Sequence, residues 1–266
     1  MVSSIGPPLK TVALQSSIVY GPVQSRRLGL SLGINLLPSD YKLCSFNCLY
    51  CQYGWTVKPV LNPTSEIKEL PNPQEVATAL ETALQQMVRQ KVKLGSITFS
   101  GNGEPTLHPD LSEIVDKAKG LRDRYFPDIP LGILSNSSTV TNKEVREALD
   151  RLDLRMMKLD AGSEELVHQL NGPAAPFYIG EIVAGLKQLK DVIIQSLFVQ
   201  GRVSNSDPDS VALWVEKVRE IRPTLVHIYT LDRVPADKRV EKVNIATLQW
   251  IASQVHWQAG VKAQVY

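Results

Sequence analysis

Cys44, Cys48 and Cys51 are spaced CxxxCxxC, and the 266-residue chain has no other cysteine. Thiolates so placed ligate soft metals, and a four-iron, four-sulfur cube takes four of them. Three on one tight loop leave one iron open, where a small molecule can bind directly. A zinc site completed by one of the four histidines, or chance clustering, are the alternatives. Zinc sites favour paired C-x2–4-C units with a second pair farther on, and no second pair exists here.

The run Ser100-Gly101-Asn102-Gly103-Glu104-Pro105 offers a second chemistry. Its glycines permit close backbone approach, and Glu104 presents a carboxylate to a cationic amine; the plain alternative is a strand-to-helix turn. Arg26 and Arg27 can receive a carboxylate, a phosphate or an acidic substrate, or else stand as exposed charge. His227 titrates near neutrality, which suits substrate contact or proton transfer, against the alternative of a structural histidine. His108 is expected to cap the helix after it.

Such groups need a scaffold. Short apolar runs alternate with segments of helical period, the pattern of βα units around a parallel sheet. Strands are expected over 28–36, 95–100, 131–135, 155–159, 192–199 and 225–230. Asn72-Pro73-Gln74-Glu75 supplies an N-cap, a first-turn proline and a capping-box glutamate. Thr141 with Glu144 repeats the box, and Asp207-Pro208 opens another helix. Further helices are expected from Asp110, Ser163 and Phe177, and over about 244–259. The stretch 53–71, with three prolines, reads as a long loop that is either functional or holds an element its sequence does not announce. One domain over 1–266, with its barrel core over about 28–231, accounts for the whole pattern.

Strand parity locates the chemistry. Alternate residues of a barrel strand face the helices and the interior. Val226 and Ile228 suit the helix side, which turns His227 and Tyr229 inward. Ile97 and Phe99 likewise leave Ser96, Thr98 and Ser100 inside, and Met157 and Leu159 leave Lys158 and Asp160 inside. A structural barrel fills that space with Val, Ile and Leu; this one is expected to enclose a polar ligand. His227 and Lys158 become the catalytic candidates.

Basic and acidic side chains nearly balance, 29 against 27, which argues against a nucleic-acid coat or a membrane-surface binder. No signal peptide is legible, and apolar runs such as 192–199 fall well short of a bilayer span. A cytoplasmic protein is expected, and clustered cysteines suit a reducing compartment.

CxxxCxxC with an aromatic residue, Tyr50, before the last cysteine resembles the radical S-adenosylmethionine (SAM) superfamily. The resemblance implies an α/β fold, a partial (β/α)6 TIM-like barrel, with the 4Fe–4S loop after the first strand. It implies that the methionine amine and carboxylate of SAM chelate the open iron. An electron from the cluster then splits the sulfonium, releasing a 5′-deoxyadenosyl radical that abstracts hydrogen. The 100–105 run resembles the superfamily's glycine–glycine–glutamate motif, which assigns Gly101, Gly103 and Glu104 to the methionine amine, with Asn102 as a departure. Ser135 and Asn136 match its ribose-contacting position. Asp160, Tyr229 and Leu231 lie where it contacts ribose or adenine, and Tyr50 is placed with the cofactor.

A narrower resemblance covers about 21–236. Gly21–Gly29, Leu32–Asn35, the turn at 101–109 and Thr230–Pro235 together resemble a subgroup described by similarity to wybutosine tRNA-modifying enzymes. This chain departs in having three cysteines only, without those of a second cluster. The segment 192–231 is also similar to activases that install glycyl radicals in partner enzymes. Three readings follow: an enzyme acting on a small molecule or an RNA base, an activase acting on a partner protein, or a non-catalytic iron–sulfur or zinc module. The polar interior and Glu104 have no purpose in the last. The resemblance also implies a reductant such as flavodoxin or ferredoxin.

Overall fold

The computed structural model describes residues 9, 11–63, 67 and 69–266. The expectation of no leader concerns residues 1–8, which lie outside the described residues, as do 64–66 and 68 of the 53–71 loop.

An antiparallel hairpin comes first, β1 (Val19–Ser25) and β2 (Gly29–Ile34). Two short paired segments bracket the cysteine loop, β3 (Leu43–Cys44) and β4 (Lys58–Pro59). Next come α1 (Pro73–Arg89), β5 (Ser96–Phe99), α2 (Leu111–Tyr125), β6 (Leu131–Ser135) and α3 (Lys143–Leu149). They lead into β7 (Leu154–Lys158), α4 (Glu164–Asn171), α5 (Ile179–Leu186), β8 (Val192–Leu197) and β9 (Val199–Gly201). The chain continues through α6 (Pro208–Ile221), β10 (Leu225–Tyr229), β11 (Val240–Lys242), α7 (Ile245–Gln254) and β12 (Ala263–Val265).

The main sheet runs β1-β2-β5-β6-β7-β8-β10-β12. All neighbours from β2 onward are parallel, and only β1 is antiparallel. The six expected strands are β2, β5, β6, β7, β8 and β10, and they form the partial β/α barrel. Two edge strands, β1 and β12, were not expected. An edge strand tolerates proline at an irregularity, and the β1–β2 register shifts between Tyr20 and Val23, around Pro22. At the other edge, β12 has only three residues.

Local chemistry explains the helix starts. Asn72 accepts from the N–H groups of Gln74 and Glu75, and Glu75 answers on the Asn72 N–H, the expected capping box. Val76, Leu80, Leu84 and Met87 form the buried stripe of α1. Ser163, Asp207 and Asn244 cap α4, α6 and α7 as expected. The cap of α3 is Asn142 rather than Thr141, since Asn142 Oδ1 accepts the Glu144 N–H. His108 Nδ1 accepts the Asp110 N–H at 3.1 Å, at the start of α2.

Parity holds in the core. Ile97, Phe99, Met157, Val226 and Ile228 are all 0% exposed and belong to the apolar cluster under the helices. Ser31 and Thr98, on the other face, share a 2.9 Å hydroxyl contact.

Candidate active site

Backbone bonds pin the cysteine loop from two sides. Leu43 N–H donates to the Asn102 carbonyl at 3.0 Å, and the Leu43 carbonyl accepts the Glu104 N–H at 3.1 Å. Only glycine allows this approach: a Cβ on Gly103 would lie 1.7 Å from the Leu43 carbonyl oxygen, and one on Gly101 2.4 Å from Asn35 Oδ1. Both glycines have φ of +144°, a conformation essentially reserved for glycine. From the other side, Asn47 and Leu49 N–H groups bond the carbonyls of Asn171 and Leu170 at 2.8 and 2.9 Å. The loop is wedged between the turn after β5 and the end of α4.

A cavity of about 530 Å³ opens beside it, within the range of small-molecule sites. Cys44, Cys48, Cys51 and Tyr50 line it together with Gly101, Gly103, Glu104, Ser135 and Asn136. Lys158, Tyr229 and Leu231 line it from β7, β10 and the following loop. Twelve of the fourteen residues singled out from the sequence therefore share one space.

Asp160 and His227 are not among the lining residues. Asp160 Oδ2 accepts from the Tyr50 hydroxyl, from Asn171 Nδ2 at 2.9 Å and from the Lys158 ammonium at 3.3 Å. Its Oδ1 takes the Leu197 N–H at 2.9 Å. Protein donors thus occupy the Asp160 carboxylate behind the cavity wall. His227 faces inward as parity requires but is buried with its ring edge-on to Tyr266, centroids 5.0 Å apart. Burial first, and then the Arg27 charge, lower its pKa to about 4. It is a neutral imidazole at pH 7, and its Nδ1 has no partner among the described residues.

Lys158 donates to the Tyr50 hydroxyl oxygen at 2.7 Å. Burial alone would lower its pKa, but the Asp160 charge outweighs that and holds it above the ordinary range. Its ammonium is held between Asp160 and Tyr50. Glu104 is buried, with Oε1 accepting from the Thr106 N–H at 3.1 Å and the Thr106 hydroxyl at 2.6 Å, and Oε2 from the Asn136 N–H. Burial raises its pKa and these donors pull it partly back.

Two asparagines point donors at sulfur: Asn136 Nδ2 lies 3.5 Å from Cys44 Sγ, and Asn171 Nδ2 lies 3.4 Å from Cys48 Sγ. The three cysteines are free, with Cys44 and Cys48 buried. Burial pushes the Cys44 thiol up to about 12 while the Lys42 charge pulls it back; metal binding would displace that proton. Among the described residues no three Cys, His, Asp or Glu side chains converge on one ion-sized point. A cube takes one thiolate per iron corner. Soft ligands, aimed amides and nearby lysines together fit a 4Fe–4S group.

Sequence reasoning passed over Asn171, Asn102 and Lys42. Asn171 reads as punctuation before Gly172-Pro173. Asn102, noted as a departure, donates to the carbonyls of Gln15 and Pro38 at 2.9 and 2.7 Å, and so locks the turn in place. Lys42, two residues before Cys44, donates to the Gly54 carbonyl at 3.0 Å; its place beside the triplet was the available signal.

A partial parallel β/α barrel carrying a three-cysteine loop against a glycine–glutamate turn defines a class, that of barrel enzymes built around an iron–sulfur cluster. The chain belongs to the radical SAM superfamily, which it matches over residues 39–199. Its cofactors are accordingly a 4Fe–4S cluster and SAM. A UPF0026 protein of Methanocaldococcus jannaschii is 31% identical over 87% of this chain and 69% of its own length. A solved structure of TYW1 with a lysine–pyruvate adduct bound has a TM-score of 0.62 at 18% identity, covering 87% of this chain and 74% of that one. A radical SAM methyltransferase from Sphaerobacter thermophilus has a TM-score of 0.63 at 14% identity, covering 89% of this chain and 65% of that one. At such identities these two structures share the fold. No helix among the described residues is long and apolar enough to cross a membrane.

Proposed function

We propose that this radical SAM enzyme abstracts hydrogen from a small molecule held inside the barrel. When bound, the cluster and SAM supply a one-electron reductive cleavage that yields the hydrogen-abstracting species. The chain's own residues hold and orient. Glu104 receives the methionine amine, Ser135 and Asn136 meet the ribose, and Tyr229 and Leu231 flank the adenine. Lys158, fixed by Asp160 and Tyr50, offsets the negative charge of the thiolates. A low-potential flavodoxin or ferredoxin supplies the electron.

The observation that carries the reading is a single cavity lined both by the three cysteines and by Arg27, Gln195 and Tyr229. A substrate bound by the second group of residues would lie in the same cavity as the cofactor. Enzyme reconstituted anaerobically with iron and sulfide, then reduced, is expected to convert SAM to 5′-deoxyadenosine. Supplied with a deuterated metabolite pool, it should carry the label into that product. Label arriving only from tRNA or from a polypeptide would replace the small-molecule reading by the RNA or activase one. Absence of 5′-deoxyadenosine would overturn all three.

A further inference from the structure

Arg27 belongs to the turn between β1 and β2, near one edge of the sheet, yet it reaches strands far along the sheet order. Its Nη1 donates to Gln195 Oε1 on β8 at 2.9 Å, and its guanidinium carbon lies 4.7 Å from the centroid of the Tyr229 ring on β10. Gln195 is itself anchored, with Nε2 donating to the Met156 carbonyl at 2.9 Å. That bond aims Oε1 at Arg27 and fixes the plane of the guanidinium. A guanidinium presents five N–H donors in a rigid fork, and Gln195 takes one.

The charges around the cavity leave Arg27 over. Arg26, Arg27, Lys42, Lys158 and Arg233 line it against only Glu104 and Asp232. Arg26 and Arg233 share Asp232, the former at 3.7 Å, and Lys158 pairs with Asp160. Lys42 is buried beside the cysteine loop and donates to the Gly54 carbonyl at 3.0 Å. Glu104 is committed to Thr106 and Asn136. Among the described residues Arg27 has no carboxylate partner, though it is half-buried against an aromatic face. A pre-oriented cation, partly desolvated and without a counter-charge, is the arrangement that receives an anion. His227, the neutral buried imidazole that feels the Arg27 charge, adds no competing negative group.

We propose that the substrate carries a carboxylate or phosphate, and that Arg27 binds this group on the wall made by β8 and β10. The proposal rests on the hydrogen-abstraction reading for the word substrate, and the site itself is testable without turnover. A small anion is favoured over a nucleic-acid backbone. Arg27 is recessed beside Tyr229, its exposed neighbour Arg26 is tied to Asp232, and the chain's net charge of +2 is far from the basic surface a polyanion needs.

The test uses reconstituted enzyme with SAM bound, and inorganic phosphate or malonate as the probe. The thermal midpoint of the wild type is expected to rise with millimolar concentrations of one probe, as for any ligand that binds the folded state. Whichever probe acts distinguishes phosphate from carboxylate. Arg27→Met should weaken that response at least ten-fold, Arg27→Lys should keep part of it, and Arg26→Met should keep nearly all. The SAM dissociation constant should stay within about two-fold in Arg27→Met, since ten-fold is 1.4 kcal/mol and the proposal places no cofactor contact on Arg27. A wild type indifferent to both probes, or an Arg27→Met variant that responds like it, would overturn the proposal. Loss of SAM binding in Arg27→Met would do the same by making Arg27 a cofactor ligand, as would a tRNA transcript binding through Arg27 where small anions do not. Failure of 5′-deoxyadenosine formation would instead remove the radical reading and leave the anion site standing.

Discussion

Glu104→Gln preserves shape and removes one charge at the turn that presses on the cysteine loop. Thr106 N–H, Thr106 hydroxyl and Asn136 N–H already donate to the Glu104 carboxylate. A carboxylate accepts about four hydrogen bonds, so capacity remains for one ammonium in the cavity that Glu104 lines. A charge-assisted hydrogen bond contributes about 1.5–3 kcal/mol, and the SAM dissociation constant should rise roughly 10- to 150-fold. The amide also turns an N–H toward an existing donor, which should cost about 1–3 kcal/mol of stability. Thr106→Val separates the two effects: it removes the hydroxyl bond, keeps the charge, and should lower stability with little change in SAM affinity. Equilibrium dialysis of labelled SAM against anaerobic reconstituted protein, alongside denaturant melts, reads both. Acid gives a further check with a definite sign. Burial raises the Glu104 pKa, so the carboxylate is lost as pH falls through a window that lies above the ordinary carboxylate range. Wild-type SAM affinity should decline over that window, and the difference between wild type and Glu104→Gln should vanish. A variant that binds SAM as tightly as wild type would refute the assignment of Glu104 to the amine.

Gly103→Ala forces a Cβ onto the Leu43 carbonyl at 1.7 Å; backbone strain alone should cost about 1–3 kcal/mol. Iron incorporation should fall with it, and a normal iron content would show that the close approach does not position the cysteines. Phe99→Ala empties a site that is 0% exposed and should cost about 3–5 kcal/mol in denaturant melts; a loss under 1 kcal/mol would contradict its place under the helices. His227→Gln tests the neutral imidazole. Its pKa falls from 6.5 to about 4 on folding, so between those values the unfolded chain takes up the proton first. Stability should therefore fall as pH drops through that window, with a slope of at most about 1.4 kcal/mol per pH unit. A wild-type-minus-variant difference that stays flat with pH would argue that His227 is not desolvated.

The sequence by itself determined what is local. Cys44, Cys48 and Cys51 lie within one loop, so their spacing alone implies soft-metal chemistry. Asn72 and Glu75 cap α1 within one turn, and the two-residue period of a strand separates Phe99 from Thr98 whatever the strand pairs with. Glycines at 101 and 103 announce a close approach, though not the partner, Leu43. Tertiary structure decided what depends on convergence. Asn171 reaches Cys48, Tyr50 and Asp160 only because the end of α4 docks on the cysteine loop. Parity assigned Asp160 and His227 to the interior, but a period of two carries no information about depth, and the groups that cover them come from the cysteine loop, α4, β8 and the chain's last residue. β1 pairs through a register irregularity around Pro22 that no local pattern announces. Arg27 and Gln195, separated by 168 positions in the chain, meet only when the sheet curls. Short-range patterns follow from backbone periodicity and side-chain type, whereas the cost of desolvating a charge is set by every chain segment that packs around it.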